Sequence, residues 1–414
     1  MAEPIGLECI RCRKAYSIDA FDKECHVCAG HGVSSNLTPR YGDVYSPERA
    51  ALSAVPYSLW RYSEFLPVAA KDAVTLGEGM TPLFEVDGFG YGKIRVKDES
   101  RNPTWSFKDR LATVAVSWAL KSGAPAIATS STGNAGAAAA AYAARAGIPC
   151  IVLTYRGAAG AIVSQMRAYG AMVMAVPEFE DRWRVLSELV RSHGWFPTSP
   201  FFGPAVGSNP LGVEGYKTLA YEIVEQSGWK PPDWCVLPVC YGDALYGMWK
   251  GFDEMVRWGW IEKIPRLVAA EVSGSLAEAA ERNLDMPPVV ARNTKSIANS
   301  IDVTRGTFQA RYALQHSDGV AVTLSDAALI AAREKLATEA GLSVEMSSAA
   351  AFAAVDRLAA DKTIGPEDDV VTILTASGLK DFGLDGIPQL SAVEVEPQVD
   401  AVLRTLDKEY GYSV

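Results

Sequence analysis

Histidine is scarce in this chain of 414 residues, which contains only four. None of them shares a regular spacing with an acidic residue, so the sequence supports neither a histidine-based catalytic triad nor a histidine-ligated catalytic metal. If the chain is an enzyme, another side chain must move the protons. The four histidines are His26, His31, His193 and His316.

Long apolar runs and blocks of basic residues are also missing. No apolar stretch reaches the length that a bilayer requires, and the first residues lack the basic-then-apolar pattern of a signal peptide. We therefore expect a cytoplasmic protein without a membrane partner. The formal net charge is −10, from 39 basic and 49 acidic residues, which argues against nucleic acid as a main partner. No G-x-G-x-x-G turn with a downstream acid is present, which excludes a dinucleotide-dependent enzyme.

Glycine and apolar residues, in contrast, are plentiful: the chain has 35 glycines and is 49% hydrophobic. Short apolar strands alternate with helices that stop at glycine, a pattern typical of a parallel sheet wrapped by helices. The length predicts two or three domains. We expect an extended arm with one helix at 39–67, a crossing between domains at 195–210 and an irregular segment after residue 381. Predicted strands are 94–97, 126–129, 150–153, 172–176, 235–239, 267–272 and 370–374; predicted helices are 107–122, 134–145, 161–169, 181–192, 215–226, 245–258, 326–340 and 347–358.

The seven cysteines fall into two groups. Cys150, Cys235 and Cys240 lie in apolar stretches and are predicted to be buried as small hydrophobic side chains. The other four form two Cys-x-x-Cys pairs, a spacing that favours a structural zinc site over disulfides in a cytoplasmic chain. The alternatives are a ribbon without metal, or His26 or His31 as a substitute ligand. Loss of zinc is expected to loosen this segment without abolishing chemistry elsewhere. The predicted ligands are Cys9, Cys12, Cys25 and Cys28.

The most informative stretch runs from Asn102 to Arg110 and contains Lys108; the small-residue turn 130–136 follows it. The turn links a short apolar strand to an Ala-rich helix, so its hydroxyls and amide groups lie at a helix N-terminus, where the dipole favours an anion. An isolated lysine is usually a solvated charge. A lysine beside such an anion site instead indicates covalent chemistry on a carbonyl group, with a carboxylate or phosphate held nearby.

Seven motifs in order along the chain resemble the threonine synthase family of pyridoxal-phosphate enzymes, which have the type II fold. The resemblance implies two parallel or mixed-sheet α/β domains, of the kind found in the tryptophan synthase β-subunit. It places a zinc-ribbon-like module at 1–35, a large cofactor-binding domain at 36–110 and 205–414, and a small domain at 111–204. It also implies pyridoxal 5′-phosphate as cofactor, a small amino acid as substrate and a homodimer. The motifs are Gly77–Leu83, Lys97–Glu99, Asn102–Arg110, Ser131–Gly136, Glu214–Thr218, Val344–Ala349 and Leu374–Asp381.

The resemblance assigns Lys108 as the residue that binds the cofactor as a Schiff base and then moves the α-proton. A lysine must lose a proton to attack an aldehyde, and a partly desolvated, cationic setting that includes Arg110 would lower its pKa. Asn134 is expected to hydrogen-bond the phenolic oxygen of the cofactor. The substrate carboxylate is expected to bind at Ser131, Thr132 and Gly133, with Thr81 close by.

The turn after the predicted strand 235–239 has the position of the family's cofactor-phosphate site, because it presents amide groups at the start of a helix. Its composition departs from the family's glycine-rich pattern, since Tyr241 and Asp243 replace small residues. Thr375, with Ser377 as the alternative, is expected to place a neutral hydroxyl against the pyridine nitrogen, which favours elimination and replacement over transamination. The turn comprises Cys240, Tyr241, Gly242, Asp243 and Ala244.

The resemblance predicts a lyase or synthase that acts on a small amino acid by β- or γ-elimination, with or without addition of a nucleophile. Two alternatives remain: a true threonine synthase that uses O-phosphohomoserine, and a catalytically silent binding or regulatory protein on the same scaffold. O-phosphohomoserine is disfavoured because the family's Asn, Ser and Arg ligands for its phosphate are replaced by Val206, Gly207 and Gly212. Trp105, where the family carries glycine, would also fill space at the distal end of the substrate. An arginine from elsewhere could replace the lost one: Arg156, Arg182 or Arg305.

Overall fold

The computed structural model of the protein describes residues 3–22, 24–42, 48–49, 52, 57–86, 94–155, 160–178, 181–201, 203, 205–291, 295–381, 393–395 and 398–412. Its strands are β1 (Gly6–Cys9), β2 (Ala15–Tyr16), β3 (Leu37–Arg40), β4 (Leu83–Val86), β5 (Ile94–Asp98), β6 (Ile127–Ser130), β7 (Cys150–Tyr155), β8 (Met172–Val176), β9 (Phe196–Pro197), β10 (Trp234–Pro238), β11 (Arg266–Glu271), β12 (Val320–Thr323) and β13 (Val370–Leu374).

The α-helices are α1 (His26–Ala29), α2 (Lys108–Lys121), α3 (Asn134–Ala146), α4 (Gly160–Ala168), α5 (Asp181–His193), α6 (Pro210–Val213), α7 (Lys217–Gln226), α8 (Asp243–Arg257), α9 (Ser275–Glu281), α10 (Phe308–Gln315), α11 (Asp326–Ala340), α12 (Met346–Ala360) and α13 (Val399–Tyr410). Short 3-10 helices include Leu59–Phe65, Glu99–Arg101, Glu214–Tyr216, Asn299–Ile301 and Gly378–Asp381.

The larger sheet has six strands in the order β12-β11-β10-β13-β5-β4. Neighbouring strands are parallel except β4 and β5, which are antiparallel. The central strands β10 and β13 are buried at every residue, as expected for continuous apolar runs inside a parallel sheet. This sheet draws its strands from residues 83–98 and 234–374.

The smaller sheet has four parallel strands in the order β8-β7-β6-β9, all from residues 127–197. The Ala-rich helix α3 follows β6 and ends at Gly147, whose φ of 69° provides a left-handed C-cap. Small side chains let α3 pack closely against α2. The helix that begins at Lys108 therefore lies beside the helix that begins at Asn134.

The N-terminal module is a three-stranded antiparallel sheet in the order β2-β1-β3. Its small core contains the buried cysteines together with Leu7 and Leu37. Leu211 of α6 is part of the same cluster, so the module is anchored to the helices of the main body.

The predicted α/β class with parallel and mixed sheets is confirmed. The predicted crossing at 195–210 contains β9, which pairs with β6, and α8 begins at Asp243, two residues earlier than predicted. The arm at 39–67 contains the 3-10 helix Leu59–Phe65, while 43–47, 50–51 and 53–56 lie outside the described residues. The expectation of an irregular segment after residue 381 was wrong at α13, an amphipathic helix with no buried residue. No helix within the described ranges is both long and apolar enough to cross a membrane.

Candidate active site

The carboxyl ends of β6, β10 and β13 meet at one cavity of about 170 Å³. It is lined by the turn 131–135 after β6, the turn 239–244 after β10 and Thr375 after β13, together with Lys108. In open α/β sheets, ligands bind at the edge where parallel strands end. This cavity is therefore the candidate active site.

A larger cavity, of about 660 Å³, lies between β3 and α8. Two lysines in its wall are already paired with carboxylates: Lys217 with Glu214 at 2.8 Å and Glu254 at 3.1 Å, and Lys250 with Glu214 at 2.5 Å. None of the residues predicted to take part in catalysis lines its described wall. Size alone does not make it the catalytic centre.

Lys108 is the first residue of α2. The preceding amide, that of Phe107, donates to Thr375 O at 2.9 Å and so ties the start of α2 to the end of β13. Lys108 Nζ lies 4.4 Å from the centre of the Phe107 ring and 5.8 Å from that of Tyr216. Within the described part of the chain, no carboxylate forms an ion pair with this amine, which is held among aromatic rings and left available for chemistry.

Arg110 does not belong to this setting, contrary to the prediction. Its fully buried guanidinium donates to Glu99 at 2.7 Å and to Glu222 at 2.6 Å. Residues i and i+2 of a helix point to different sides, so Arg110 faces this acidic pair rather than the amine of Lys108. Burial acts to raise the pKa of Glu222, but Arg110 and Lys97 outweigh it and lower that pKa to about 2.

Ser131 acts as a cap for α3. Its Oγ accepts hydrogen bonds from the amides of Gly133 at 3.2 Å and Gly136 at 2.9 Å. Both Ser131 and Gly133 line the cavity. The Ser131 hydroxyl therefore shapes the turn, and a ligand at this end would meet backbone amides as well as hydroxyls.

Three amide groups at the start of α3 remain free. Those of Thr132, Asn134 and Ala135 donate to no other residue among those described, and all three residues line the cavity. Free amides at a helix N-terminus bind anions, because the helix dipole adds to the hydrogen bonds. The geometry suits the carboxylate site predicted here.

Asn134 pairs with Glu345, an acid that was not predicted as part of the site. Its Nδ2 donates to Glu345 Oε2 at 2.7 Å, while its Oδ1 is buried without a hydrogen-bond partner in the described structure. Burial raises the pKa of Glu345, which also accepts a hydrogen bond from Ser300. A buried orphan atom in a cavity wall indicates a polar ligand group. Glu345 engages one of the two N–H groups of the Asn134 amide, and the bond to a phenolic oxygen stays a prediction for the other.

The turn after β10 forms a second anion site. Gly242 has a φ of 74°, and a Cβ there would collide with Ala310, so only glycine fits. The amides of Gly242, Asp243 and Ala244 make no hydrogen bond to any other described residue. They face the cavity at the start of α8, which matches the predicted phosphate position.

The acid in this turn, Asp243, is held by two neighbouring residues. Asp243 Oδ1 accepts from the Ser208 amide at 2.9 Å and from Gln309 Nε2 at 2.6 Å. Its Oδ2 accepts from Ser208 Oγ at 2.6 Å. Both oxygens of the carboxylate are therefore engaged by donors that lie outside the turn.

A buried arginine lies near the same turn. Arg182 is 5% exposed and lines the cavity together with Cys240 and Tyr241. Burial raises the pKa of Cys240 to about 12 and also raises the pKa of Tyr241, while the positive charge of Arg182 acts to lower both values. Cys240 is thus a neutral thiol in the cavity wall. It is only partly buried, whereas the sequence predicted a buried side chain.

Of the other arginines considered as substitutes, Arg305 does not line the cavity, and its Nε donates to Pro287 O at 3.0 Å. Arg156 lies outside the described residues. Arg182 therefore remains as the candidate to replace the missing family arginine.

Thr375 lines the cavity, and its Oγ1 shares a hydrogen bond with Ser348 Oγ at 2.7 Å. The alternative, Ser377, is not among the lining residues; its Oγ accepts from the Leu379 amide at 3.3 Å. The placement favours Thr375 as the hydroxyl that meets a bound ring.

Two residues predicted to contact substrate lie elsewhere. Thr81 is 3% exposed and donates to Glu99 at 2.5 Å. Glu99 belongs to the buried ion cluster that it forms with Arg110 and Glu222. Trp105 is 46% exposed, and its ring centre lies 5.6 Å from Lys380 Nζ. Neither lines the cavity. The family motifs place Thr81 and Trp105 in the sequence, but they do not fix the direction of the two side chains.

The four N-terminal cysteines converge as predicted. Their sulfur atoms all lie within 4.8 Å of one another, with Cys9 and Cys28 3.7 Å apart and Cys12 and Cys25 3.6 Å apart. Four thiol groups at these separations fit one tetrahedral metal ion with no open coordination position. His26 instead pairs through Nδ1 with the Tyr16 hydroxyl at 3.2 Å.

Glu345 and Ser300 both line the cavity, although neither was predicted as a site residue from the sequence. Glu345 carried a signal, since it lies in the motif Val344–Ala349, but that motif did not reveal a role. Ser300 lies in a 3-10 helix, and no local pattern marked it.

Comparisons with known proteins agree with this geometry. The profile described as "pyridoxal-phosphate dependent enzyme" matches residues 74–376. A threonine synthase of Methanocaldococcus jannaschii is 33% identical over 385 residues, which cover 90% of this chain and 92% of the relative. The solved structure of O-ureido-L-serine synthase matches with a TM-score of 0.62 at 22% identity and covers 76% of this chain and 95% of that one.

An L-serine ammonia-lyase from Rhizomucor miehei has the same TM-score of 0.62 at 20% identity, over 72% of this chain and 94% of that one. The two solved structures share the fold. The profile match and the curated relative extend over most of the sequence, and they confirm the resemblance found in the motifs. The chain belongs to the family of pyridoxal-phosphate dependent enzymes.

Proposed function

We propose that the protein is a pyridoxal-phosphate dependent lyase or synthase that acts on a small amino acid by β- or γ-elimination, with or without addition of a nucleophile. The observation that carries this proposal is that Lys108 shares one cavity with the N-termini of α3 and α8. A phosphorylated cofactor and an amino acid substrate need two anion sites beside one reactive amine. The names of the similar proteins, threonine synthase and L-serine ammonia-lyase, support this chemistry.

The cavity residues fit the cofactor. Lys108 would hold it covalently, the amides of turn 240–244 would bind its phosphate, and Thr375 would meet its ring nitrogen. The orphaned Oδ1 of Asn134 offers such a ligand one more polar contact.

Bound there, pyridoxal phosphate supplies the electron sink that stabilises negative charge at the α-carbon of the substrate. Lys108 Nζ is the group that would take the α-proton of the substrate and return it. The free amides of α3 orient the substrate carboxylate and thereby the α-carbon. Thr375 offers a neutral hydroxyl that does not protonate the ring, which favours loss of a leaving group. Cys240 stays protonated because its pKa is raised to about 12, so it does not compete as a nucleophile.

We propose an unphosphorylated substrate, because Val206, Gly207 and Gly212 stand where the family offers phosphate ligands. The second candidate is a true threonine synthase. Arg182 favours it, since a buried arginine in the cavity wall suits a substrate with an anionic distal group.

We also propose one structural zinc ion at the four cysteines and, from the resemblance alone, a homodimer that works in the cytoplasm. The sulfur separations support the zinc site. A metal with four thiolate ligands stabilises the module and takes no part in the reaction.

The test is a screen of holoprotein against small amino acids, their O-acetylated forms and O-phosphohomoserine, with 2-oxo acid, ammonia and phosphate as readouts. We expect 2-oxo acid and ammonia, or a replacement product, from an unphosphorylated substrate, and none from Lys108→Ala. Holoprotein that binds the cofactor but converts no compound would favour the catalytically silent alternative.

A further inference from the structure

Asn36 connects the cysteine module to the turn that would bind the cofactor phosphate. It precedes β3 and is 4% exposed. Its Nδ2 donates to Ser208 O at 3.1 Å and to Gln309 Oε1 at 3.2 Å. Ser208 and Gln309 are the two residues that hold the carboxylate of Asp243.

The turn 240–244 is held in place by hydrogen bonds to these neighbours and to Thr307. Gln309 Nε2 donates to Tyr241 O at 3.1 Å as well as to Asp243. Thr307 Oγ1 donates to the same carbonyl of Tyr241 at 2.6 Å. These bonds fix the carbonyl and the acid of the turn, and its amides at the cavity are left without a partner among the described residues.

Gly207 shows how closely this network is packed. Its φ is 136°, and a Cβ there would lie 2.6 Å from Asn36 Nδ2 and 2.9 Å from Asp243 Oδ1, and would also collide with Gln309. With no free space between these groups, a displacement of Asn36 moves the residues that hold the turn.

The other side of Asn36 is fixed by the cysteine pairs. Its carbonyl accepts from the Ile10 amide at 3.2 Å, directly after Cys9. The neighbouring Ser35 accepts through its carbonyl from the Cys25 amide at 3.0 Å, and its Oγ lies 3.4 Å from Cys9 Sγ. The position of Asn36 therefore depends on the arrangement of the cysteines.

We propose that Asn36 is a positioning residue through which the cysteine module sets the affinity of turn 240–244 for the cofactor phosphate. The inference rests on the proposed use of pyridoxal phosphate. Asn36 does not line the cavity, and it acts through Gln309 and Ser208. The module is distant from Lys108 in sequence but contacts the active site through this network. Loss of the metal would leave the chemistry of Lys108 intact and weaken the hold on the phosphate.

The test compares pyridoxal phosphate with pyridoxal, which has the same aldehyde and no phosphate. Apoprotein is titrated with each compound, borohydride fixes what is bound, and mass spectrometry measures the occupancy of Lys108. For Asn36→Ala we expect the preference for pyridoxal phosphate over pyridoxal to fall about tenfold, because the two hydrogen bonds that Asn36 Nδ2 donates are lost. Gln309→Met should reproduce the fall, and the double variant should add little, since both act in one network. Thr38→Val, a buried change two residues along that removes a contact with Lys250, should leave the preference unchanged.

Removing the metal from wild-type protein with a chelator should lower the same preference, and should lower it no further in Asn36→Ala. A preference that is unchanged in both Asn36→Ala and Gln309→Met would overturn the inference, as would an equal loss of affinity for the two compounds. Wild-type protein that fixes neither compound on Lys108 would overturn the proposed function, and this inference with it.

Discussion

Asn134 Nδ2 donates to Glu345 Oε2 at 2.7 Å, and this bond joins the first residue of α3 to the residue before α12. The two residues are 211 positions apart in the chain. The bond links α3, which follows β6 of the smaller sheet, to α12, which packs against the larger sheet. It orients the amide of Asn134 and places a buried acid in the wall of the cavity that contains Lys108.

The first prediction concerns the pH dependence of stability that Glu345 causes. Burial raises its pKa above the ordinary value of 4.5. Well below pH 4.5 the carboxyl is protonated in both the folded and the unfolded chain, so its titration does not change the free energy of unfolding. As the pH rises, the unfolded carboxyl ionises first, so the folded state binds more protons and loses stability.

Glu345→Gln removes this titration. We expect the free energy of unfolding of the variant to rise relative to wild type between pH 4.5 and neutral pH, measured by urea unfolding. Glu281→Gln, at an exposed position, controls for the loss of one negative charge. A difference between Glu345→Gln and wild type that stays constant across this range would contradict the prediction.

The second prediction concerns the buried ion cluster. Arg110→Met leaves Glu99 and Glu222 without their shared cation, and should lower the free energy of unfolding by about 3–5 kcal/mol. Arg101→Met is the matched control, because Arg101 is 69% exposed in its pair with Asp98 and should cost less than about 1 kcal/mol. Denaturant unfolding measures both. Similar losses in the two variants would show that the buried cluster stabilises the fold no more than the exposed pair of Arg101 and Asp98 does.

Local patterns in the sequence were sufficient for the parts of the site that depend on local structure. Lys108, the turn 131–135 and the turn 240–244 each lie where an apolar strand or a proline-containing segment gives way to a helix. Those transitions can be predicted from periodicity, glycine positions and the family motifs. The strands and helices that carry them were predicted for the same reason.

Contacts between distant segments could not be predicted in this way. Thr81 and Arg110 belong to family motifs, but their side chains face a buried ion cluster instead of the cavity. Asn36 and Gln309 are 273 residues apart, and nothing in either segment indicates the other. The direction of a side chain and the pairing of remote segments are set by packing of the whole fold.

The third prediction concerns the metal. Elemental analysis of protein expressed with ample zinc should give one zinc ion per chain, held by four sulfur atoms. Cys12→Ser should lose most of this zinc, whereas Cys150→Ser, a buried cysteine outside the cluster, should retain it. Wild-type protein without zinc under these conditions would refute the assignment.

The fourth prediction concerns the substrate. Release of phosphate from O-phosphohomoserine should have a kcat/KM below about 10⁴ M⁻¹s⁻¹, a low value for a metabolic enzyme. A higher value would overturn the proposal of an unphosphorylated substrate. In that case Arg182→Met should lower the efficiency about tenfold or more, since a charge-assisted bond to the phosphate would be lost.

The central claim is that Lys108 is the amine that binds pyridoxal phosphate and moves the substrate proton. The most direct measurement is borohydride reduction of the holoprotein, followed by digestion and mass spectrometry of the lysine peptides. We predict cofactor on the peptide that contains Lys108, no fixed cofactor in a folded Lys108→Ala variant, and normal fixation in Lys121→Ala, whose lysine pairs with Glu3 outside the cavity. Cofactor on a different lysine, or normal turnover by Lys108→Ala, would contradict the account.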